Sequence, residues 1–175
     1  MSQIVIVTAI GARDKPGIVA ALTEAVYEAG GSLDDATMTR LHGAFATMLA
    51  ARMPDDAAIE TLRQQLIKAS LRLELHVEVD EIPDAHEEQP PDHLITVYGA
   101  DRPGIVHQIA SALAAEGVNI TDLDTRVAGA SDQPVYVMFL ETAGGNWQTI
   151  PAKLSAVAKS LGVEIGHKEL DAEAL

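Results

Sequence analysis

The six residues Asp14-Lys15-Pro16-Gly17-Ile18-Val19 return as Asp101-Arg102-Pro103-Gly104-Ile105-Val106, 87 positions later. The same displacement relates Leu22 to Ile109, Gly30 to Gly117, Leu33 to Ile120 and Asp35 to Asp122. Solenoid units run to roughly 20–50 residues, so a period this long points to two copies of a small globular domain. Half of a 175-residue chain lies near the lower end of the domain range. Each unit is therefore expected to lean on a second one, in the same chain or another, for part of its burial.

Hydrophobic periodicity gives both halves the same element order. In the first, Ile4 to Val7 form a β-branched run, and Ile18, Leu22, Ala25 and Val26 then recur at helical spacing. Gly30 is expected to end that helix in the left-handed conformation, and His42-Gly43 to turn a hairpin. Asp55 is placed to cap a second helix, with Ile59, Leu62, Leu66 and Ala69 on one stripe. The alternation of Leu71, Leu73, Leu75, Val77 and Val79 with polar residues reads as a last strand. In the second half, strands are expected near 93–98, 119–127, 135–141 and 163–170. Its helices carry Ile105, Ile109, Ala112 and Leu113, then Trp147, Ile150, Leu154, Val157 and Leu161.

Each half is thus βαββαβ, and right-handed crossovers put both helices on one face of a four-stranded antiparallel sheet, an α+β, ferredoxin-like arrangement. The domains are placed at 1–80 and 93–175. Residues 81–92, with three prolines and five acidic groups, read as an acidic linker. Met38, Met48 and Met53 are expected to fill core gaps, and Trp147 to anchor its helix to the sheet.

Composition narrows the function classes. The net charge is −14, and basic residues nowhere cluster with aromatics, so direct contact with nucleic acid is not expected. Apolar runs fall well short of the roughly 20 residues of a membrane span, the N-terminus has no secretory pattern and there is no cysteine. A soluble, cytoplasmic protein is expected. No metalloprotease, hydrolase or phosphate-loop motif is present, and the six histidines have no partners at metal-ligand spacing. They read as scattered surface residues, so neither a catalytic site, a metal nor a cofactor is expected.

The repeated motif falls between the first strand and first helix of each half. Proline suits a helix start, and glycine permits close approach of a backbone or ligand. The free amides of Gly104, Ile105 and Val106 favour a carboxylate. Asp101, like Asp14, can cap those amides or meet an ammonium group. Asp-x-Pro-Gly is equally a good helix start with no ligand at all.

The sequence Gly-Ala-Asp-Arg-Pro-Gly-Ile-Val at 99–106, followed by Asn119-Ile120 at the second strand, resembles an ACT domain, a regulatory module that binds amino acids. Two units filling nearly the whole chain resemble the glycine cleavage system transcriptional repressor group. The resemblance implies a non-enzymatic sensor that binds a small amino acid, glycine being the one suggested, between two ACT units and modulates a regulatory protein partner. It implicates Asp101, Gly104, Ile105 and Asn119 in the second copy, and Asp14, Gly17 and Ile18 in the first. The first copy departs from the pattern, with one extra residue between Gly11 and Pro16 and with Ser32 in place of Asn119. A detached regulatory subunit of a biosynthetic enzyme and a ligand-free assembly module are the alternatives. An unpaired sheet edge favours a homodimer.

Overall fold

A computed structural model describes residues 2–82, 89–128 and 134–170. The chain divides into two compact units, Met1–His86 and Glu87–Leu175. In the first, the elements are β1 (Gln3–Gly11), α1 (Ile18–Glu28), β2 (Ser32–Leu41), β3 (Ala44–Met53), α2 (Asp56–Leu73) and β4 (Leu75–Ile82). The second repeats them as β5 (His93–Ala100), α3 (Ile105–Ala114), β6 (Asn119–Ala128), β7 (Val135–Ala143), α4 (Ile150–Leu161) and β8 (Val163–Glu169). The sheets have the orders β2-β3-β1-β4 and β6-β7-β5-β8, with every pairing antiparallel. This is the expected α+β, ferredoxin-like βαββαβ fold, twice.

Alternation on the central strands decides where the core lies. Val5, Val7 and Ala9 of β1, and Phe45, Leu49, Ala51 and Met53 of β3, are buried against Ile18, Leu22 and Val26 of α1 and Ile59, Leu62 and Leu66 of α2. The second core joins Ile95, Val97, Met138 and Leu140 to Ile109 and Leu113 of α3 and Leu154 and Leu161 of α4. Both helices of each unit therefore cover one sheet face, the face to which these strand residues point.

Local chemistry sets the joints. His42 and Gly43 both have positive φ, 50° and 83°, the type I′ geometry that matches strand twist in a two-residue hairpin. Asp55 accepts from the Ala58 amide and caps α2. Gly30 and Gly117 end α1 and α3, with Gly30 N–H bonded to Tyr27 O and Gly31 N–H to Val26 O, and with Gly117 and Val118 bonded to Ala114 and Leu113 in the same way. These are Schellman closures. A β-bulge interrupts β2 between Leu33 and Asp35, and another interrupts β6 between Ile120 and Asp122. Both copies thus carry the same bulge.

Several expectations are corrected. Residues 71–73 finish α2 instead of opening a strand, and Leu71 is largely exposed. Glu74, at φ 59°, makes the reversal, and β4 starts at Leu75. Met53 is fully buried, but Met38 and Met48 are about half exposed, since β2 is an edge strand and Met48 points to the uncovered sheet face. Trp147 precedes α4 and stacks on His93 of β5, with ring centroids 3.5 Å apart and planes 8° apart, while the His167 ring lies 5.7 Å from it. His93 is accordingly mostly buried and not a surface histidine. β4 runs to Ile82, two residues into the segment expected to be linker, and residues 83–88, His86 among them, lie outside the described residues.

The other end of that segment is tied into the second unit. Asp92 accepts from the Gly144 amide and from His93, both at 2.8 Å, and its backbone bonds to Thr142 and Leu170. Burial pushes the Asp92 carboxyl up, but the His93 and Gly144 hydrogen bonds outweigh it and hold it below the ordinary carboxylate range. A depressed carboxyl adds stability that is present above its unfolded pKa and lost as pH falls through the folded one. Asp92→Asn is therefore expected to flatten the acid limb of the second unit's stability curve. Equilibrium unfolding followed at Trp147 between about pH 5 and pH 2 reads this directly.

Candidate ligand-binding site

The motif builds the same turn in both units. Gly17 has φ 93° and ψ −4°, Gly104 has φ 92° and ψ 0°, and each is the N-cap of the helix that follows. Proline then glycine at positive φ is the signature of a type II turn, and in the first unit the Ile18 amide approaches the Lys15 carbonyl at 3.5 Å. Pro16 and Pro103 thus serve the turn and stand before the helix, not at its first position. A Cβ on Gly17 would meet nothing within 4 Å, and one on Gly104 only Gln108 Nε2 at 3.7 Å. Backbone conformation, not close approach, is what demands glycine here. Gly104→Val would deform the turn itself and is a poor probe of contact with a ligand.

No side chain caps α1 or α3, so the carboxylates of Asp14 and Asp101 are not spent on the helix amides. Ile18 and Ile105 are buried core residues, which leaves only their backbone for a ligand. The two aspartates differ in their surroundings. Asp14 lies 3.5 Å from Arg40 Nη1, and its amide bonds to Gly43 O in the hairpin. Asp101 has no ion pair among the described residues. Arg126, 86 positions after Arg40, bonds to Asp124 at 2.8 Å, and the sheet register puts Val127 in the place of Arg40.

Asp101, Gly104, Ile105 and Val106 share an open cavity of about 350 Å³ with Arg102, His107 and Tyr136. Tyr136 is not evident as a site residue from the sequence. It pairs across the sheet with Gly99 and Val127, as Phe45 pairs with Gly11 and Arg40, so a phenol replaces a phenyl at the same place in the second unit. Burial pushes the Tyr136 phenol above its ordinary range, a Thr125 hydrogen bond opposes that shift, and the charge of Asp101 reinforces it. The hydroxyl stays neutral and donates to Met138 Sδ at 3.7 Å. His107, which by sequence is one more scattered surface histidine, is brought to this cavity by α3.

Asn119 does not join this group. It pairs with Ala143 at the end of the sheet where β5 begins, whereas Asp101 follows the end of β5, roughly 25 Å away along an eight-residue strand. Asn119 lines a different groove with Gln89, Pro91, Ile120 and Glu141. Within one unit, then, the motif turn and Asn119 occupy opposite ends. Among the described residues there is no group of three or more His, Asp or Glu placed to hold a metal ion, and no helix long and apolar enough to cross a membrane.

Comparison with known proteins agrees with this architecture. The ACT domain family matches residues 3–80 and again residues 93–146. A UPF0237 protein of Methanopyrus kandleri is 35% identical over 72 residues, which cover 41% of this chain and 80% of that protein. A UPF0237 protein of Methanosarcina mazei is 34% identical over 83 residues, covering 45% and 86%. Two crystal structures share the fold over the whole chain. A protein of unknown function from Galdieria sulphuraria superposes with a TM-score of 0.80 at 22% identity, covering 98% of this chain and 100% of its own. A protein described as a candidate glycine cleavage system transcriptional repressor superposes with a TM-score of 0.74 at 18% identity, covering 98% and 99%. With the βαββαβ unit and its Asp-x-Pro-Gly turn present twice, the chain belongs to the ACT-domain family and carries two copies of that domain in tandem.

Proposed function

We propose that the protein is a non-enzymatic sensor in which a small amino acid binds at the strand-to-helix turn and changes the affinity for a regulatory protein partner. One observation carries the reading: the second turn offers uncapped helix amides and, beside them, a carboxylate without an ion pair among the described residues. Donors for a carboxylate and an acceptor for an ammonium, side by side, suit the two charged ends of an α-amino acid. The ligand lies between two units, with Asn119 contributed by the neighbouring one, since a single unit keeps Asn119 and the turn apart. Exposed edge strands β2 and β6 favour a homodimer as the source of that neighbour.

Glycine is the first ligand to test, because the structural neighbour named for glycine cleavage control shares the fold over the full length. Regulation acts through a protein partner in the cytoplasm, a net charge of −14 being unsuited to phosphate contacts. A coupling of about 1–3 kcal/mol suffices to change partner affinity roughly 5- to 150-fold.

The second unit is the primary site, since Arg40 already occupies Asp14 in the first. Asp101→Asn is expected to weaken amino-acid binding by about 10- to 100-fold, or ~1.4–2.8 kcal/mol, through loss of a charge-assisted hydrogen bond. Asp14→Asn is expected to change it little. Calorimetric titration of both variants checks the contrast, and equal loss in both would move the site away from the second turn.

A further inference from the structure

The motif's basic residue makes the same long-range contact in both units. Lys15 Nζ donates to Glu74 Oε2 at 2.7 Å, and Arg102 Nη1 donates to the Leu161 carbonyl at 3.1 Å. Both bonds span 59 residues and join the position between Asp and Pro of the turn to the C-terminal end of the unit's second helix. In the fold Glu74 stands where Gly162 does, each the left-handed residue just before the last strand, and Leu161 matches Leu73 at the end of the helix.

The acceptors differ in kind, and each local choice fits its own version of the contact. In the second unit the helix ends normally, with Gly162 at φ 66°, and the guanidinium bonds to one of the last helix carbonyls, where the negative end of the helix dipole favours a cation. A Cβ at Gly162 would stand 3.1 Å from Arg102 Nη1, so this glycine also makes room for the guanidinium. In the first unit the left-handed position is Glu74, a residue type that takes this conformation less readily than glycine. Its side chain supplies the acceptor instead. The Lys15 hydrogen bond, followed by the Lys15 charge, holds the Glu74 carboxyl below its ordinary range.

Two halves that have exchanged Lys for Arg, and a side-chain acceptor for the backbone carbonyl at the end of the helix, have kept the bridge while changing its chemistry. Other contacts of the turn region are not shared: Asp14 meets Arg40 and Gly43 in the first unit, while Val127 stands in the place of Arg40 in the second.

We propose that Lys15 and Arg102 are positioning residues, struts that hold the motif turn against the end of the second helix and so fix the aim of its carboxylate and amides. The inference deepens the sensor reading and rests on it for its consequence in binding. It also ties the turn to a point one residue before β4 and two before β8, so a displacement of the turn is felt at the unit's last strand.

Backbone ¹⁵N relaxation on the full chain, without ligand, tests the strut. In Arg102→Met, the order parameters of Asp101, Arg102 and Gly104 are expected to fall from about 0.85 to below about 0.6, with Asp14 to Gly17 unchanged. Arg102→Lys is expected to restore order, because an ammonium can also donate to the Leu161 carbonyl at the negative end of the helix dipole. Lys15→Met is the second variant, with the reverse pattern. Titration with glycine then reads the consequence: an affinity at least about tenfold weaker in Arg102→Met and recovered in Arg102→Lys supports positioning. A second turn as ordered in Arg102→Met as in the parent chain overturns the proposal, as does a loosened turn that binds glycine with parental affinity. If the parent chain binds no amino acid, the sensor reading falls while the relaxation data still decide whether the strut exists.

Discussion

Leu113→Ala is expected to remove about 2–5 kcal/mol from the second unit, the usual range for truncating a leucine that leaves a cavity in a close-packed core. Leu113 is fully buried and packs in the cluster of Ile95, Val97, Met138 and Leu140. Its carbonyl also accepts the Val118 amide that closes α3, so the residue sits where helix packing and helix termination meet. For a unit of this size such a loss is a large part of a total of roughly 5–10 kcal/mol. The only tryptophan, Trp147, belongs to this unit, so its fluorescence follows the unit's unfolding selectively. Denaturant titration should show a lower midpoint with an unchanged slope. A cost below about 1 kcal/mol would mean that α3 does not pack as described.

Gly145→Ala is expected to cost about 2–4 kcal/mol, from two separable causes. The residue has φ 85°, where any side chain is strained, and a Cβ there would lie 2.3 Å from Val118 Cγ2 and 3.3 Å from the Glu116 carbonyl. Gly117 provides the control. It has φ 72°, and a Cβ there would meet nothing within 4 Å, so Gly117→Ala carries the conformational cost alone, about 1–2 kcal/mol. The difference between the two variants, read by the same Trp147 unfolding assay, isolates the crowding between the 144–149 turn and the end of α3. That turn matters because the Gly144 amide holds Asp92 and its carbonyl accepts from Trp147 Nε1. Equal costs at the two positions would show that the turn relaxes away from Val118.

Most of the fold was legible because its joints use residues with few conformational options. Gly30, Gly117, His42-Gly43 and Asp55 each do at their joint what their chemistry suggests. Reading failed where two periods coincide. Leu66, Ala69 and Leu73 continue the helical stripe of α2, while Leu71, Leu73 and Leu75 mimic a strand, and Glu74 conceals the helix end because the left-handed residue is not a glycine. The reason for that glutamate lies 59 residues away at Lys15, beyond any local pattern. Met38 and Met48 looked like core residues because hydropathy does not say that β2 is an edge strand or which sheet face the helices leave open.

The candidate site was legible in part. The repeated turn marked Asp14, Gly17 and Ile18, and Asp101, Gly104 and Ile105, yet proline and glycine turned out to serve the turn itself. Tyr136 escaped notice because the connection from β6 to β7 is four residues longer than that from β2 to β3, which breaks the constant displacement and hides its match with Phe45. Only the pairings with Gly99 and Gly11 reveal it. The different engagement of the two aspartates was equally invisible, since it depends on the register that puts Val127 in the second unit where Arg40 stands in the first.

Calorimetric titration of the full chain with glycine, serine and a panel of larger amino acids, carried into the millimolar range where about −4 kcal/mol is visible, tests the central claim most directly. Saturable binding of a small amino acid at one site per chain, without turnover, is the expected result. No heat from any member of the panel with a folded sample, or binding that survives Asp101→Asn at full strength, would contradict it.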